Sequence, residues 1–363
     1  MVLERVSNSP NDFVSVASDD QISASHVEGP SITAVVCVHT YGRWSSITEL
    51  VKRLLDQVRP IDQICIVVDH NNGVLEHARL EWQDIQKVTV IPNTSERGLS
   101  GARNCGVAAA RGDIIAFIDD DAIPYDNQWS TKLVAGFSDP NVMVLGGEAI
   151  PRWLSDEPSW LPSEFLWTVG CSYTGQPTTT AVVRNVLGCN MAIIADAFHR
   201  LGAFETSVGR GRGSLPMGAE ETEICIRIAR HYGANSVVYE PTLRVEHAVS
   251  QDRTTVKYFA RRCYAEGLSK ALLSGISGSD SALSNETTYA TTVLPKAIAR
   301  EGIGMVLGGR PSRGASASRI LATVMGLSLT VAGYLAGTIR SRLHRAHTSL
   351  DPTTTPRDAS SQG

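Results

Sequence analysis

The apolar pattern of the chain starts near Ser31. Residues 1–29 are rich in Ser, Asp and Asn and carry no apolar period, which predicts a disordered tail. Ile32 to Val38 is an unbroken run of mostly β-branched residues, as expected of a strand buried on both faces. Ile47, Leu50, Val51, Leu54, Leu55 and Val58 then recur at helical spacing, with a capping box from Ser46 and Glu49 and a stop at Pro60. Further buried strands are expected at Ile64 to Val68, Val88 to Ile91 and Ile114 to Ile118, with a small-residue helix over 99–110. Strands alternating with helices predict a mainly parallel sheet covered on both faces.

From Trp129 to Arg230 the pattern loosens, and it closes in a helix starting near Glu220. Short strands are expected at Ser236 to Tyr239 and Leu243 to Val245, and a helix over 254–274. Gly/Ser-rich spacers at 275–283 and 308–318 bracket part of an apolar, basic C-terminal region. No internal repeat is visible. The expected division is a tail (1–29), an α/β domain (30–275), a helical C-terminal extension (276–346) and a second tail (347–363).

Composition narrows the function classes. The 363 residues carry a net charge of −4 and are 42% apolar and 19% charged. That balance supports a large core and gives no reason to expect nucleic acid as a partner. Cys37, Cys65, Cys105, Cys171, Cys189, Cys225 and Cys263 form no C-x-x-C and mostly sit in apolar runs, as buried thiols of a reducing compartment do. The N-terminus has no basic stretch followed by an apolar one, so a signal peptide is not expected and the catalytic part should be cytosolic.

Ligands of open α/β sheets bind at the carboxyl ends of strands. Here those ends carry Asp69 and the run Asp119, Asp120, Asp121. Three adjacent carboxylates repel one another unless something neutralises them. Oxygen ligands suit a hard divalent ion, Mg²⁺ or Mn²⁺, shared with substrate phosphates. A solvated acidic turn is the plainer alternative. Arg97, Gly98 and Arg103 lie in E-R-G-L-S-G-A-R-N-C-G (96–106), where small residues admit a ligand and arginines meet phosphates. Neither a dinucleotide fingerprint nor a P-loop is present, which argues against an oxidoreductase and a P-loop enzyme. Glu220, Glu221 and Glu223 open a helix, where the macrodipole favours acids in any case. They point in different directions, so one can face a cleft while another supports the fold. His247 follows a strand and precedes a basic stretch with Arg253, Lys257, Arg261 and Arg262.

The order of these pieces resembles family-two glycosyltransferases of the GT-A fold over residues 31 to about 275, which implies an α/β domain with a Rossmann-like mixed sheet followed by the C-terminal helical extension. The matching stretches are V-C-V-H-T-Y-G-R (36–43), I-V-V-D-H-N-N-G (66–73), R-G-L-S-G-A-R-N-C-G (97–106), F-I-D-D-D-A (117–122), L-G-C-N-M-A (187–192), L-G-A-F-E (201–205) and 218–227. The resemblance implies a metal-dependent, inverting transfer of a sugar from a nucleotide diphosphate, UDP-linked, to a lipid-linked or glycan acceptor. It places Thr40, Tyr41, Arg43, Asp69, Arg97, Gly98, Arg103, Asp119, Asp120, Arg261 and Arg262 on the donor. It puts Asp121 and His247 on the metal, and Trp153, Gly188 and Asn190 on the acceptor side. Glu221, with Glu220 as runner-up, stands as general base where the family usually has Asp. A second departure is His70-Asn71-Asn72 where the family often shows D-G-S or D-N-S. The run 258–270 resembles actinobacterial-type members, which extends the implication to glucuronosyl transfer onto a lipid-linked sugar. Trp153, Trp160 and Trp167 suit sugar stacking, lipid cover or plain packing. A catalytically degenerate member acting as a nucleotide-sugar-binding or scaffolding subunit of an envelope polysaccharide assembly is the alternative from another class. A glycoside hydrolase would need two opposed carboxylates and no diphosphate site.

Residues 320–339 carry no charge, and twenty helical residues reach about 30 Å, the thickness of a bilayer core. Eight Lys/Arg and one acid lie between Lys296 and Arg345. Gly333 and Gly337 form a G-x-x-x-G. A helix lying on the membrane, a single span and a docked soluble helix all fit. The first two place the chain at the cytoplasmic face of the membrane.

Overall fold

The computed structural model describes residues 29–207, 218–277, 289–307 and 310–348. The expected tails at 1–29 and 347–363 lie almost wholly outside the described residues, as do residues 278–283 of the first expected spacer.

The first half is a run of βα units. The strands are β1 (Ile32–Val38), β2 (Gln63–Val68), β3 (Val88–Pro92) and β4 (Ile114–Asp119). The helices are α1 (Trp44–Leu55), α2 (Asn72–Trp82) and α3 (Leu99–Ala109). α1 starts before the expected capping box, because a 3-10 turn at Tyr41–Arg43, capped by Thr40 Oγ1, leads straight into it. α2 was not expected from the pattern; its buried Val74, Ala78 and Trp82 are too sparse to show a period. Asn71 caps it by accepting from Val74 N.

The second half is β5 (Ala122–Pro124), α4 (Trp129–Gly136), β6 (Val144–Trp153), β7 (Ala181–Val182), β8 (Asn190–Ile194), α5 (Ala195–Leu201), α6 (Glu220–Tyr232) and β9 (Val237–Val249). β3-β2-β1-β4-β8-β6-β9-β5 is the sheet order, with β7 beside β9. β1 to β4 are parallel, but β8 runs antiparallel to β4 and to β6, and β5 runs antiparallel to β9. The sheet is therefore mixed, as the GT-A resemblance implies, and not mainly parallel as the strand–helix alternation alone predicts. The two short strands expected at 236–245 are one strand, whose register against β6 shifts after Gly147.

Alternation along β1 divides the core. Ile32, Ala34, Val36 and Val38 face α1, α2 and α4. Val35 faces α3, α5 and α6. A third cluster joins Phe165, in the 3-10 segment Ser163–Val169, to Phe259 and Cys263 of α7 (Val256–Ser277), Leu294 of α8 (Leu294–Leu307) and Met325 of α9 (Arg310–Thr348). α9 runs through most of the expected spacer at 308–318. α7 continues past the expected boundary at residue 275 and packs along α9.

Candidate active site

Because β1, β2 and β4 are parallel, their carboxyl ends share one edge, and Asp69 and Asp119 stand on it. Asp69 is a hub. Its Oδ1 accepts from Asn93 Nδ2 at 2.7 Å and lies 2.9 Å from His70 Nδ1, and its Oδ2 accepts from Gly98 N at 3.1 Å. Burial raises its pKa, but these contacts together hold it below the usual range. Asn93 also donates to Glu96 O, so it pins the 93–98 loop to the strand end. Pattern reading missed Asn93; its signal is an Asx turn, seen in Ser95 N donating to Asn93 Oδ1. His70 holds a positive φ of 50°, and its carbonyl accepts from Arg97 Nη2 at 3.0 Å. Tyr41 is exposed beside His77 and Trp44.

Register brings the metal-type ligands together. Asp121 immediately precedes β5, and the β5–β9 ladder sets Ala122 opposite His247. Ala248 N donates to Asp121 O at 2.7 Å. His247 Nε2 thereby lies 3.3 Å from Asp121 Oδ1, and both side chains are buried. Arg43 reaches Asp121 Oδ2 at 3.0 Å and also pairs with Asp120. Arg253 reaches Asp121 Oδ2 at 3.3 Å. Burial would raise the Asp121 pKa, but His247 and the two arginines hold it well below the usual range. Burial would lower that of His247, but Asp121 raises it to about 10. Asp120 is pushed up, by burial first and by Asp121, and Arg43 opposes this.

Ligand-type atoms of Asp119, Asp121 and His247 lie within 4.8 Å of one another. Two carboxylates and an imidazole suit a divalent cation of the Mn²⁺ kind. Asp120 Oδ2 beside them is buried with no hydrogen-bond partner among the described residues. That orphaned acceptor and the donor set fit a resident cation.

Arg103 sits behind this group. It is 2% exposed, and its guanidinium, expected on the donor, is taken up by protein partners. Its Nη2 donates to Asp119 Oδ1 at 3.3 Å and to Gly188 O at 3.2 Å, and its Nη1 to Glu220 Oε1 at 3.4 Å. A Cβ on Gly188 would stand 2.8 Å from Arg103 Nη2, so that glycine makes room for the guanidinium and is not a bare acceptor surface.

The acids opening α6 separate by partner. Glu220 accepts from Ala219 N at 3.0 Å as well as from Arg103. Glu223 pairs with Arg227 at 2.6 Å. Glu221 is half-buried and shares neither pairing. Burial, then the charge of Glu220, lifts its pKa to about 7, against the pull of Arg103 and Arg262.

Asn190, expected on the acceptor side, is fully buried. Its Nδ2 donates to Leu243 O at 2.8 Å and Glu148 O at 3.2 Å, and its Oδ1 accepts from Trp129 Nε1. Every polar atom is engaged by the fold, which removes it from acceptor contact. Trp153, Trp160 and Trp167 pack against the third core cluster. Trp167 also carries the Arg262 guanidinium 5.7 Å from its ring centroid, and Arg262 pairs with Glu266. Arg253, in the 3-10 turn Gln251–Thr254, joins Arg43 at Asp121.

The family described as Glycosyl transferase family 2 matches residues 35–202. Glucosyl-dolichyl phosphate glucuronosyltransferase of Haloferax volcanii is 32% identical over 243 residues, 67% of this chain and 77% of that protein. Succinoglycan biosynthesis protein ExoM of Rhizobium meliloti is 28% identical over 179 residues, 47% of this chain and half of that protein. Among solved structures, the mannosyltransferase PcManGT from Pyrobaculum calidifontis, in complex with GDP-Man and Mn²⁺, superposes with a TM-score of 0.55 at 19% identity. It covers 87% of this chain and 88% of its own, and shares the fold. The chain belongs to glycosyltransferase family 2 and is a glycosyltransferase with the GT-A architecture.

Proposed function

We propose that the protein transfers a sugar from a UDP-linked donor to a lipid-linked acceptor at the cytoplasmic face of a membrane, in one inverting step that depends on a divalent cation. In this reading residues 30–275 carry the chemistry and 276–346 the membrane contact. The observation that carries it is the convergence of Asp119, Asp121 and His247 on the carboxyl edge of the sheet. The acceptor class is supported by the relative named for acting on glucosyl-dolichyl phosphate, and the cation by the Mn²⁺ of the structural neighbour.

Asp119, Asp121 and His247 would hold the cation, which when bound offsets charge growing on the leaving diphosphate. Arg43 and Arg253, already on Asp121, would add fixed positive charge at the same place. Asp69 and the loop it pins would seat the nucleoside. Glu221 would take the proton from the acceptor hydroxyl as that oxygen attacks the anomeric carbon. A carboxylate with a pKa near 7 is suited to both accepting and releasing a proton at neutral pH. Attack from the face opposite the leaving group inverts the anomeric centre. The transition state is oxocarbenium-like, as in other glycosyl transfers.

The test is a panel of UDP-, GDP- and dTDP-sugars with Mn²⁺ or Mg²⁺ and membrane lipid extract as acceptor. Release of UDP with an organic-soluble product of inverted configuration is expected. A retained configuration, or transfer only from another nucleotide, would overturn the inverting or the UDP part respectively.

A further inference from the structure

Helix α9 has two unlike faces. At 3.6 residues per turn, Ala322, Gly326, Gly333 and Gly337 fall on one side and are buried. A Cβ on Gly333 would stand 2.1 Å from Tyr264 O, and one on Gly337 would stand 2.6 Å from Ala271 Cβ. From the other helix, a Cβ on Gly267 would stand 2.0 Å from Thr330 O. Backbone therefore meets backbone between α7 and α9, and the G-x-x-x-G is used inside the molecule. The opposite side carries Leu321, Val324, Leu327, Val331, Leu335 and Ile339, each between 37% and 69% exposed.

We propose that α9 lies in the plane of an anionic bilayer as a monotopic anchor, with the Leu321–Ile339 stripe in the lipid and the glycine face on α7, and does not cross it. This deepens the membrane contact named above and rests on that reading. By length and composition the stretch Arg313–Leu343 is able to span a membrane, so packing decides the matter. A span would set the glycine face, and α7 with it, at bilayer depth. α7 carries the Arg262–Glu266–Lys270 ion ladder, and bringing its charges to that depth is costly. An in-plane helix wets only the outer stripe and leaves α7 in place.

Charge identifies the occupant. Residues 302–350 contain six arginines and no acid, although the whole chain is net negative. Arg313 and Arg342 fall on the outer side, beyond the two ends of the stripe, and both are exposed. Anionic headgroups complement that arrangement. A second copy of the same face would set arginine against arginine with no acid between them.

The full-length protein, tagged at its C-terminus, is added to preformed vesicles of phosphatidylcholine alone or with a third phosphatidylglycerol. Wild type should float with the anionic vesicles, and external protease should remove the tag. V331D/L335D should lower the bound fraction about tenfold or more, and V331S/L335S should lower it less. Both variants should keep the wild-type melting profile and wild-type release of nucleoside diphosphate from soluble donor with detergent-dispersed membrane lipid extract as acceptor. Flotation of V331D/L335D at the wild-type level would overturn the proposal, as would a protease-protected tag. So would a wild type that is dimeric in buffer and becomes monomeric with V331D/L335D. A wild type that floats as described but releases no nucleoside diphosphate from any donor of the panel when Mn²⁺ and membrane lipid extract are supplied leaves the anchor standing and overturns the proposed reaction instead.

Discussion

Arg103 is a fully enclosed cation whose two arms hold Asp119 and Glu220, one acid from the strand edge and one from the start of α6. Removing one partner of a buried pair costs about 3–5 kcal/mol, because the other charge stays buried and uncompensated. Arg103→Ala should therefore lower stability by that order, seen in denaturant titration, and Arg103→Lys should recover part of it while kcat stays depressed. Glu221→Gln should behave differently. With this residue as the base, turnover should fall by about 10² to 10⁴ while donor binding is nearly unchanged; near-normal turnover would move the base elsewhere. A carboxyl whose folded pKa is raised above its unfolded value favours the folded state at low pH and loses that stability as pH rises toward about 7. Glu221→Gln should thus melt higher than wild type at pH 8 and not at pH 4, and wild-type kcat/KM should rise with pH through a midpoint near 7. Asp69, Asp119, Asp121 and His247 were legible as candidates because strand ends and acidic runs show in the sequence. The roles of Arg103, Gly188 and Asn190 were not, because burial decides them and a residue letter does not carry burial.

Elements explain why some of the site could be read and some could not. β1, β2 and β4 are continuous apolar runs, so their ends, and the acids on them, follow from the pattern. β5 is three residues long, yet its ladder with β9 is what brings His247 to Asp121. No period exists in three residues. β6 was hidden by Gly146, Gly147 and Pro151, and a Cβ on Gly147 would stand 1.8 Å from Leu243 O. That glycine is a place where two strands close on each other, which in sequence looks like a break. The G-x-x-x-G of α9 was legible as a close-packing motif but not as one facing α7. Gly333→Leu should separate α7 from α9, with a lower Tm and earlier proteolysis in α9. Unchanged melting and digestion would mean that the two helices do not depend on that contact.

For the whole molecule, the βα half supplies Asp69 and Asp119 on the strand edge, and the mixed half brings His247 to Asp121, which joins the two halves. The C-terminal helices belong to the same body, since Leu294 and Met325 complete the cluster around Phe165 and Phe259. Deleting residues 291–363 should consequently release the protein from membranes and also destabilise it by uncovering that cluster. Surface substitutions on α9 separate the two effects better. The fold class and the family were readable from length, pattern and motif order. The mixed sheet followed from the resemblance and not from the strand–helix alternation, and the docking of the tail followed from neither, because it depends on contacts between distant segments. The central claim is a cation-dependent transfer at Asp119, Asp121 and His247. It is tested most directly by measuring nucleoside diphosphate release in the presence of membrane lipid extract as acceptor, with Mn²⁺ and then with excess chelator, for wild type and Asp121→Ala. Wild type should turn over with Mn²⁺ and stop with chelator, and Asp121→Ala should stay inactive in both. Full activity of Asp121→Ala in chelator would contradict the assignment.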